Sequence, residues 1–434
     1  MDGTDARRAI EAVWRIEAAK VIAVVARLTQ DIGLAEECAQ DALVAALEHW
    51  PEKGIPAKPA AWLITTAKNR ALDQLRRTPL LERKHRQLAQ AWHSQREAAH
   101  NDFQEAIDMA LDDDIGDNLL RLIFTACHPL LAAEARVALT LRLLGGLTTN
   151  EIARAFLAAE PTVAQRIVRA KRSLSAAQVP FEVPRAEELA GRLNSVLEVI
   201  YLIFNEGYAA TAGDNWVRPA LCEEALRLGR ILAGLMPQEA EVQGLVALME
   251  IQASRIHARI DPEGEPILLP DQDRTRWDPL LIRRGLAALD RALSAGPALG
   301  PYSLQAAIAA CHAQATSAEE TDWEKIAALY DALAQLTPSP VIELNRAVAI
   351  AMAFGPLAGL EIIEKLSGDA ALKDYHLLPS VRGDLLFRLG RWQEARQAFL
   401  HAASLTANNR ERRLLRRRAA ECDAAPGIMD SDST

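Results

Sequence analysis

Leu34, Cys38, Ala42, Ala46 and Trp50 stand four residues apart, a spacing that lines one face of a helix and alternates across no strand. Helical stripes of this kind recur along the 434-residue chain, while β-branched runs bounded by turn residues, the mark of strands, are scarce. Aromatic residues make up 5% of the chain and Ala, Leu, Arg and Glu abound. These side chains lose little rotamer freedom on a helical backbone. The expected fold class is all-α. A chain this long exceeds one compact core, so two or more domains are expected.

Proline and glycine set the divisions. Helices are predicted over 8–29, from Leu34 to Trp50, and from Pro59 to near Arg77, with a Pro-rich loop at 51–59. Residues 1–78 thus form a first domain. Residues 79–114 read as a linker that begins basic (Arg83, Lys84, Arg86) and ends acidic (Asp112, Asp113, Asp114). A second helical cluster covers 115–178 and stops at Val179-Pro180-Phe181-Glu182-Val183-Pro184, since neither proline suits a helix interior. A helical domain follows over 187–300, interrupted by a Pro/Gly/Asp-rich stretch at 261–279. Over 301–425, helix pairs are predicted to begin near Ser303, Ser339 and His376, close to the roughly 34-residue period of tetratricopeptide repeats. The clearest unit runs from Leu385 to Ala395, where Gly390 ends one helix and Ala395, Phe399 and Ala402 of the next face back onto it.

Residues 1–178 hold 23 Lys+Arg and 23 Asp+Glu, and residues 179–434 hold 26 and 35, so the net charge of −9 belongs to the second part. Overall acidity therefore does not argue against nucleic-acid binding by the first part. Cys38, Cys127, Cys222, Cys311 and Cys422 are scattered without a CxxC pair, which argues against a disulfide framework and against a zinc site. No stretch reaches the roughly 18 apolar residues of a membrane span, and Met1-Asp2-Gly3-Thr4-Asp5 lacks the order of a signal peptide. A cytoplasmic protein without metal or cofactor is expected.

Residues 147–174 carry the strongest local pattern. Thr148-Thr149-Asn150-Glu151 is a capping box, Glu151–Leu157 makes a short helix, and Pro161 opens a second one. Val163, Ile167, Ala170 and Leu174 form its inner face, which leaves Thr162, Gln165, Arg166, Arg169 and Arg172 pointing outward. A short helix, a tight turn and a basic-faced second helix make a helix-turn-helix, with Arg and Gln suited to base edges and Thr or Lys to phosphates. By itself the pattern also fits a helical hairpin with a solvated basic face. In helix 60–77, Trp62, Thr66, Asn69, Asp73 and Arg76 share one face, with Lys68, Arg70 and Arg77 nearby. Beside the 51–59 loop they could hold a separated strand and an extruded base; taken alone, the helix reads better with Trp62 as core, Asp73 paired with Arg77 and the charges solvated.

Together these motifs resemble an extracytoplasmic-function RNA polymerase sigma factor. Sigma region two resembles 11–78 through Glu36-Glu37-Cys38-Ala39-Gln40-Asp41-Ala42-Leu43 and Pro59-Ala60-Ala61-Trp62-Leu63 with Lys68-Asn69-Arg70-Ala71-Leu72-Asp73. Region four resembles 115–175 through Glu151-Ile152-Ala153 and Thr162-Val163 with Arg166-Ile167 and Arg169-Ala170-Lys171. Phe124-Thr125-Ala126-Cys127-His128-Pro129, Ile203-Phe204-Asn205-Glu206-Gly207-Tyr208 and the repeats resemble the subgroup with a C-terminal tetratricopeptide-like extension. The resemblance implies that Asp31, Glu36, Glu37, Gln40 and Asp41 dock on polymerase. It implies that Trp62, Lys68, Asn69, Arg70, Arg76 and Arg77 engage the minus-ten element. Thr162, Gln165, Arg166, Arg169, Lys171 and Arg172 would read the minus-thirty-five element. Core RNA polymerase, promoter DNA and a protein regulator held by the repeats are the implied partners. Two positions depart from the family pattern: Ala164 replaces a basic DNA contact, and Glu160 puts an anion at the head of the reading helix.

An operator-binding helix-turn-helix regulator with a repeat sensor domain would explain 147–174 and the repeats, but gives no reason for the motifs in 31–43 and 59–77. An enzyme is the weakest reading. Asn205-Glu206-Gly207-Tyr208 and His257 offer a lone Glu and a lone His, not the convergent groups that catalysis needs. Cys127-His128 reads as a packed helix end.

Overall fold

The computed structural model describes residues 3–77, 116–156, 158–296 and 298–424; the 79–114 linker expected from sequence lies outside them. The chain is all-α and divides into two units, residues 1–200 and 201–434.

The first unit opens with α1 (Gly3–Thr29), α2 (Ile32–Lys53) and α3 (Pro59–Arg77). Gln30 turns the chain between α1 and α2 in the left-handed region (φ 54°). Asp31 then caps α2, its Oδ1 accepting from the Gly33 and Leu34 amides at 2.7 and 3.0 Å. Val21, Ile22 and Val25 of α1, Cys38, Ala42, Ala46 and Trp50 of α2, and Leu63, Ala67, Ala71 and Leu75 of α3 form a common core. The small residues on α2 let its neighbours approach closely. α2 runs one turn past the Trp50 end expected from sequence: Pro51 sits inside that turn, and Gly54 (φ 82°) closes it by donating to the Trp50 carbonyl at 2.9 Å.

Next come α4 (helical at 116–126), α5 (Ala133–Leu143), α6 (Thr149–Ala155) and α7 (Glu160–Ala176). They close over Leu122, Phe124, Leu139, Leu141, Ile152, Val163 and Ile167. α8 (Ala186–Tyr208) begins in this unit. Its Arg192 donates to the Phe124 carbonyl at 3.0 Å and its Ser195 to the Cys127 carbonyl at 2.6 Å. Both satisfy carbonyls that the end of α4 leaves orphaned. Arg136 completes the seam by pairing with Glu198 at 2.9 Å. Cys127-His128 is thus a packed helix end, the Cys127 thiol pushed up to about 11 by burial.

The second unit continues with α9 (Pro219–Leu235), α10 (Ala240–Ala253), 3-10 turns at Ile256–Ala258, Leu269–Asp271 and Arg274–Arg276, and α11 (Pro279–Ala295). α12 (Pro301–Gln314) and α13 (Trp323–Leu336), α14 (Pro340–Phe354) and α15 (Pro356–Leu366), and α16 (Leu377–Arg388) and α17 (Trp392–Leu405) follow as helix pairs, and α18 (Asn409–Asp423) ends the described chain. Pro219, Pro279, Pro301, Pro340 and Pro356 each open a helix, where the missing N–H costs nothing. α10 is buried nearly all round and is the axis on which its neighbours pack. At Gly244 a Cβ would stand 2.3 Å from the Ser303 hydroxyl, so only glycine lets α12 approach there.

α18 returns to the start of this unit. Strands β1 (Ala212–Gly213) and β2 (Ala407–Asn408) pair in parallel, with Ala212 opposite Ala407. The buried Asn408 amide donates to the Ala210 and Asn215 carbonyls, both at 3.0 Å. Arg410 and Arg413 each reach Glu265 at 2.8 Å.

Candidate nucleic-acid interface

The local code of 147–174 is realised in detail. The Glu151 amide donates to the Thr148 hydroxyl at 3.1 Å, and the Thr148 amide donates to the Glu151 carboxylate at 2.8 Å, closing the capping box that starts α6. In α7, Val163, Ile167, Ala170 and Leu174 are buried, whereas Thr162, Gln165, Arg166, Arg169 and Arg172 are exposed. This face rests on a packed back, so its cations are presented without being drawn into the core. Val168, which sequence reasoning passed over, stands between them at 44% exposure. Its spacing from Gln165 and Arg172 was the available signal. Glu160 occupies the first position of α7, one residue ahead of Pro161, and accepts from the Asn150 side-chain amide at 3.1 Å. There it suits the helix dipole and opposes an approaching phosphate. Ala164 is half-buried and brings no charge.

On α3, Asn69 and Arg70 are exposed, Lys68 is half-buried, and Arg76 and Arg77 lie in the last helical turn. Trp62 is half-buried, its ring meeting Trp50 edge to face with centroids 5.3 Å apart. Packing therefore fixes Trp62, which stays partly exposed, and the loop expected at 51–59 is shortened to 54–58 because α2 runs on to Lys53.

The five residues assigned to polymerase separate into two groups. Glu37 is exposed, and Gln40 and Asp41 are half-buried on α2. Glu36 is 4% exposed: Arg142 of α5 pairs with it at 2.6 Å, Lys171 of α7 pairs with it, and Gln40 donates to it at 2.8 Å. Asp31, besides capping α2, accepts from the Ser175 hydroxyl at 3.1 Å. Lys171 is thereby turned from the outward face of α7 toward α2. A cleft of about 390 Å³ lined by Asp31, Ile32, Lys171, Ser175 and Phe181 lies along this contact. Behind it, burial and then the charges of Asp41 and Glu37 push the Cys38 thiol up to about 11, which leaves it protonated.

The residues that suggested an enzyme do other work. Glu206 pairs with Arg218 at 2.5 Å and accepts from Thr211 at 2.9 Å, and His257 is exposed. Among the described residues no group of three His, Cys, Asp or Glu side chains gathers as a metal ion requires, and no helix is long and apolar enough to cross a membrane.

Three family models match the chain: Sigma-70 region 2 at residues 15–79, Sigma-70 region 4 at 121–174, and a family of unknown function, DUF6596, at 192–293. An uncharacterized protein of Rhizobium meliloti (strain 1021) is 42% identical over 403 residues, 93% of each chain. The chain belongs to one sigma-70-related family with it. Regions 2 and 4, the pairing of extracytoplasmic-function factors, indicate a sigma-factor role in transcription initiation, with core RNA polymerase and promoter DNA as partners. Region 2 is the α1–α3 bundle and region 4 is the α4–α7 cluster with its helix-turn-helix. They point to a transcription factor rather than a catalyst.

Proposed function

We propose that this sigma-70-related chain directs promoter-specific initiation by dividing the work between its two regions. Glu37, Gln40 and Asp41 of α2 dock on polymerase. The 54–58 loop with Asn69, Arg70 and Trp62 holds the minus-ten strand, aided by Lys68, Arg76 and Arg77. α7 enters the major groove of the minus-thirty-five element, where Arg166 and Arg169 take base edges, Gln165 and Val168 offer an amide and an apolar contact, and Thr162 and Arg172 hold phosphates. The row of exposed donors on a helix with a fully packed back carries this reading. The helix pairs of 301–425 act as a tetratricopeptide-like regulatory extension that holds a protein partner. Run-off transcription with core polymerase, full-length chain and a promoter from its own gene neighbourhood tests the assignment. Tight, sequence-specific duplex binding by the chain alone, with no stimulation of polymerase, would replace it with an operator-binding regulator.

The same reading gives the Glu36 contact a role. Free factor keeps regions 2 and 4 docked, with Lys171 and Glu36 neutralising each other, and polymerase separates them to promoter spacing. Arg142→Met removes the 2.6 Å donor to Glu36 and touches neither reading helix. One charge-assisted bond of this kind contributes about 1.5–3 kcal/mol, so the ratio of docked to separated chain is expected to fall roughly tenfold or more. Energy transfer between labels on α2 and α7 of the full chain reads this out. Unchanged transfer would remove the docking claim.

A further inference from the structure

Three guanidinium groups of the second unit meet around three aromatic rings. Arg259 lies 3.7 Å over the Tyr208 ring and 5.7 Å from that of Trp216. Arg255 stands 5.9 Å from Tyr208 and 5.6 Å from Trp277, and Arg274 covers Trp277 at 4.7 Å. Arg255 therefore shares one ring with each of the other two. Its centre is internal, with Arg255 9% exposed, Tyr208 9% and Trp277 5%, while Arg259 and Arg274 are half-buried.

Buried arginines ordinarily come with carboxylates, because ring faces repay only part of the lost hydration. Here they do not. Among the described residues neither Arg255 nor Arg259 has an ion-pair partner, and Arg274 donates only to the His312 and Ala315 carbonyls and to Thr321. Glu319 and Glu320 act on Arg274 from a distance without pairing with it. The buried Nε atoms of Arg255 and Arg259 and the Nε1 of Trp277 have no hydrogen-bond partner. Three orphaned donors and three like charges thus belong to one cluster, and among the described residues no acid pairs with any of its arginines. His312 does not add to the charge: burial, with Arg255 and Arg274 nearby, lowers it to about 4, so it is neutral at pH 7.

We propose that Arg255, Arg259, Arg274 and Trp277 form a binding site for a small oxyanion, a phosphate or carboxylate group carried by a small molecule. Such a group accepts from planar guanidinium donors and offsets their mutual repulsion. The burial of Arg255 and Trp277 favours a small ligand over a macromolecular surface. The site lies outside regions 2 and 4 and stands whether or not the chain initiates transcription.

Thermal unfolding of the full chain in potassium phosphate, in citrate and in potassium chloride at matched ionic strength and pH tests it. At about 10 mM, phosphate or citrate is expected to raise Tm by about 2–4 °C over chloride, and whichever acts more strongly identifies the ligand group. Arg255→Met, or Arg259→Met if the first variant does not fold, is expected to abolish that gain. Equal Tm values in all three salts overturn the proposal. So does a gain that survives in the variant, since that is general salt stabilisation.

Discussion

Replacing both Arg166 and Arg169 with alanine is expected to lower promoter-dependent run-off transcription by roughly 100- to 1,000-fold at fixed salt. Each bidentate contact between arginine and a base edge carries about 1–3 kcal/mol of discrimination, and two such contacts compound. Both side chains are exposed on α7 and the buried face of that helix is untouched, so the variant is expected to fold as the parent does. Its affinity for core polymerase should stay within about twofold, because the residues proposed to dock lie on α2. Arg172→Ala, proposed to remove a phosphate contact, is expected to weaken all sequences alike and to reduce the salt slope by about one unit. Activity of the double variant within threefold of the parent would mean that α7 does not read the promoter.

Helix α7 was legible because its information is local. A capping box, a proline at the helix start and an i, i+4, i+7 stripe name the inner residues and, by exclusion, the outer ones. Lys171 shows where that reasoning ends. Helical spacing left it beside the outward-facing residues, but its partner is Glu36, over a hundred positions earlier in the chain. Burial of Glu36 likewise comes from α5 and α7 closing on α2, which no window of residues around position 36 contains. The arginine cluster escaped for a related reason. Arg255, Arg259 and Arg274 fall in and beside a stretch rich in proline, glycine and aspartate, where charges read as solvated. Only packing against Tyr208 and Trp277 draws them inward, Arg255 to burial and Arg259 and Arg274 to half-burial. Helix starts in the last third fared better: sequence placed them near Ser303, Ser339 and His376, and the helices begin at Pro301, Pro340 and Leu377, within the usual uncertainty of such boundaries.

Phe399 and Gly383 are expected to behave as one packing unit, and a double-mutant cycle between α16 and α17 measures it. Phe399 is 2% exposed and its ring lies against Gly383, where a Cβ would stand 2.8 Å from two ring carbons. Phe399→Ala empties that site and should cost about 3–5 kcal/mol, a fall in Tm of roughly 10 °C for a unit of this size. Gly383→Ala gains about 1 kcal/mol of helix propensity but forces the ring aside, so alone it is expected to destabilise by about 1–3 kcal/mol. In a Phe399→Leu background the clash is relieved and the propensity gain remains. Gly383→Ala should then be neutral or stabilising, with a coupling of about 1 kcal/mol or more between the two positions. Strict additivity would show that the two helices do not meet through this pair. The close antiparallel approach on which the repeat reading of 376–405 depends would then have no support.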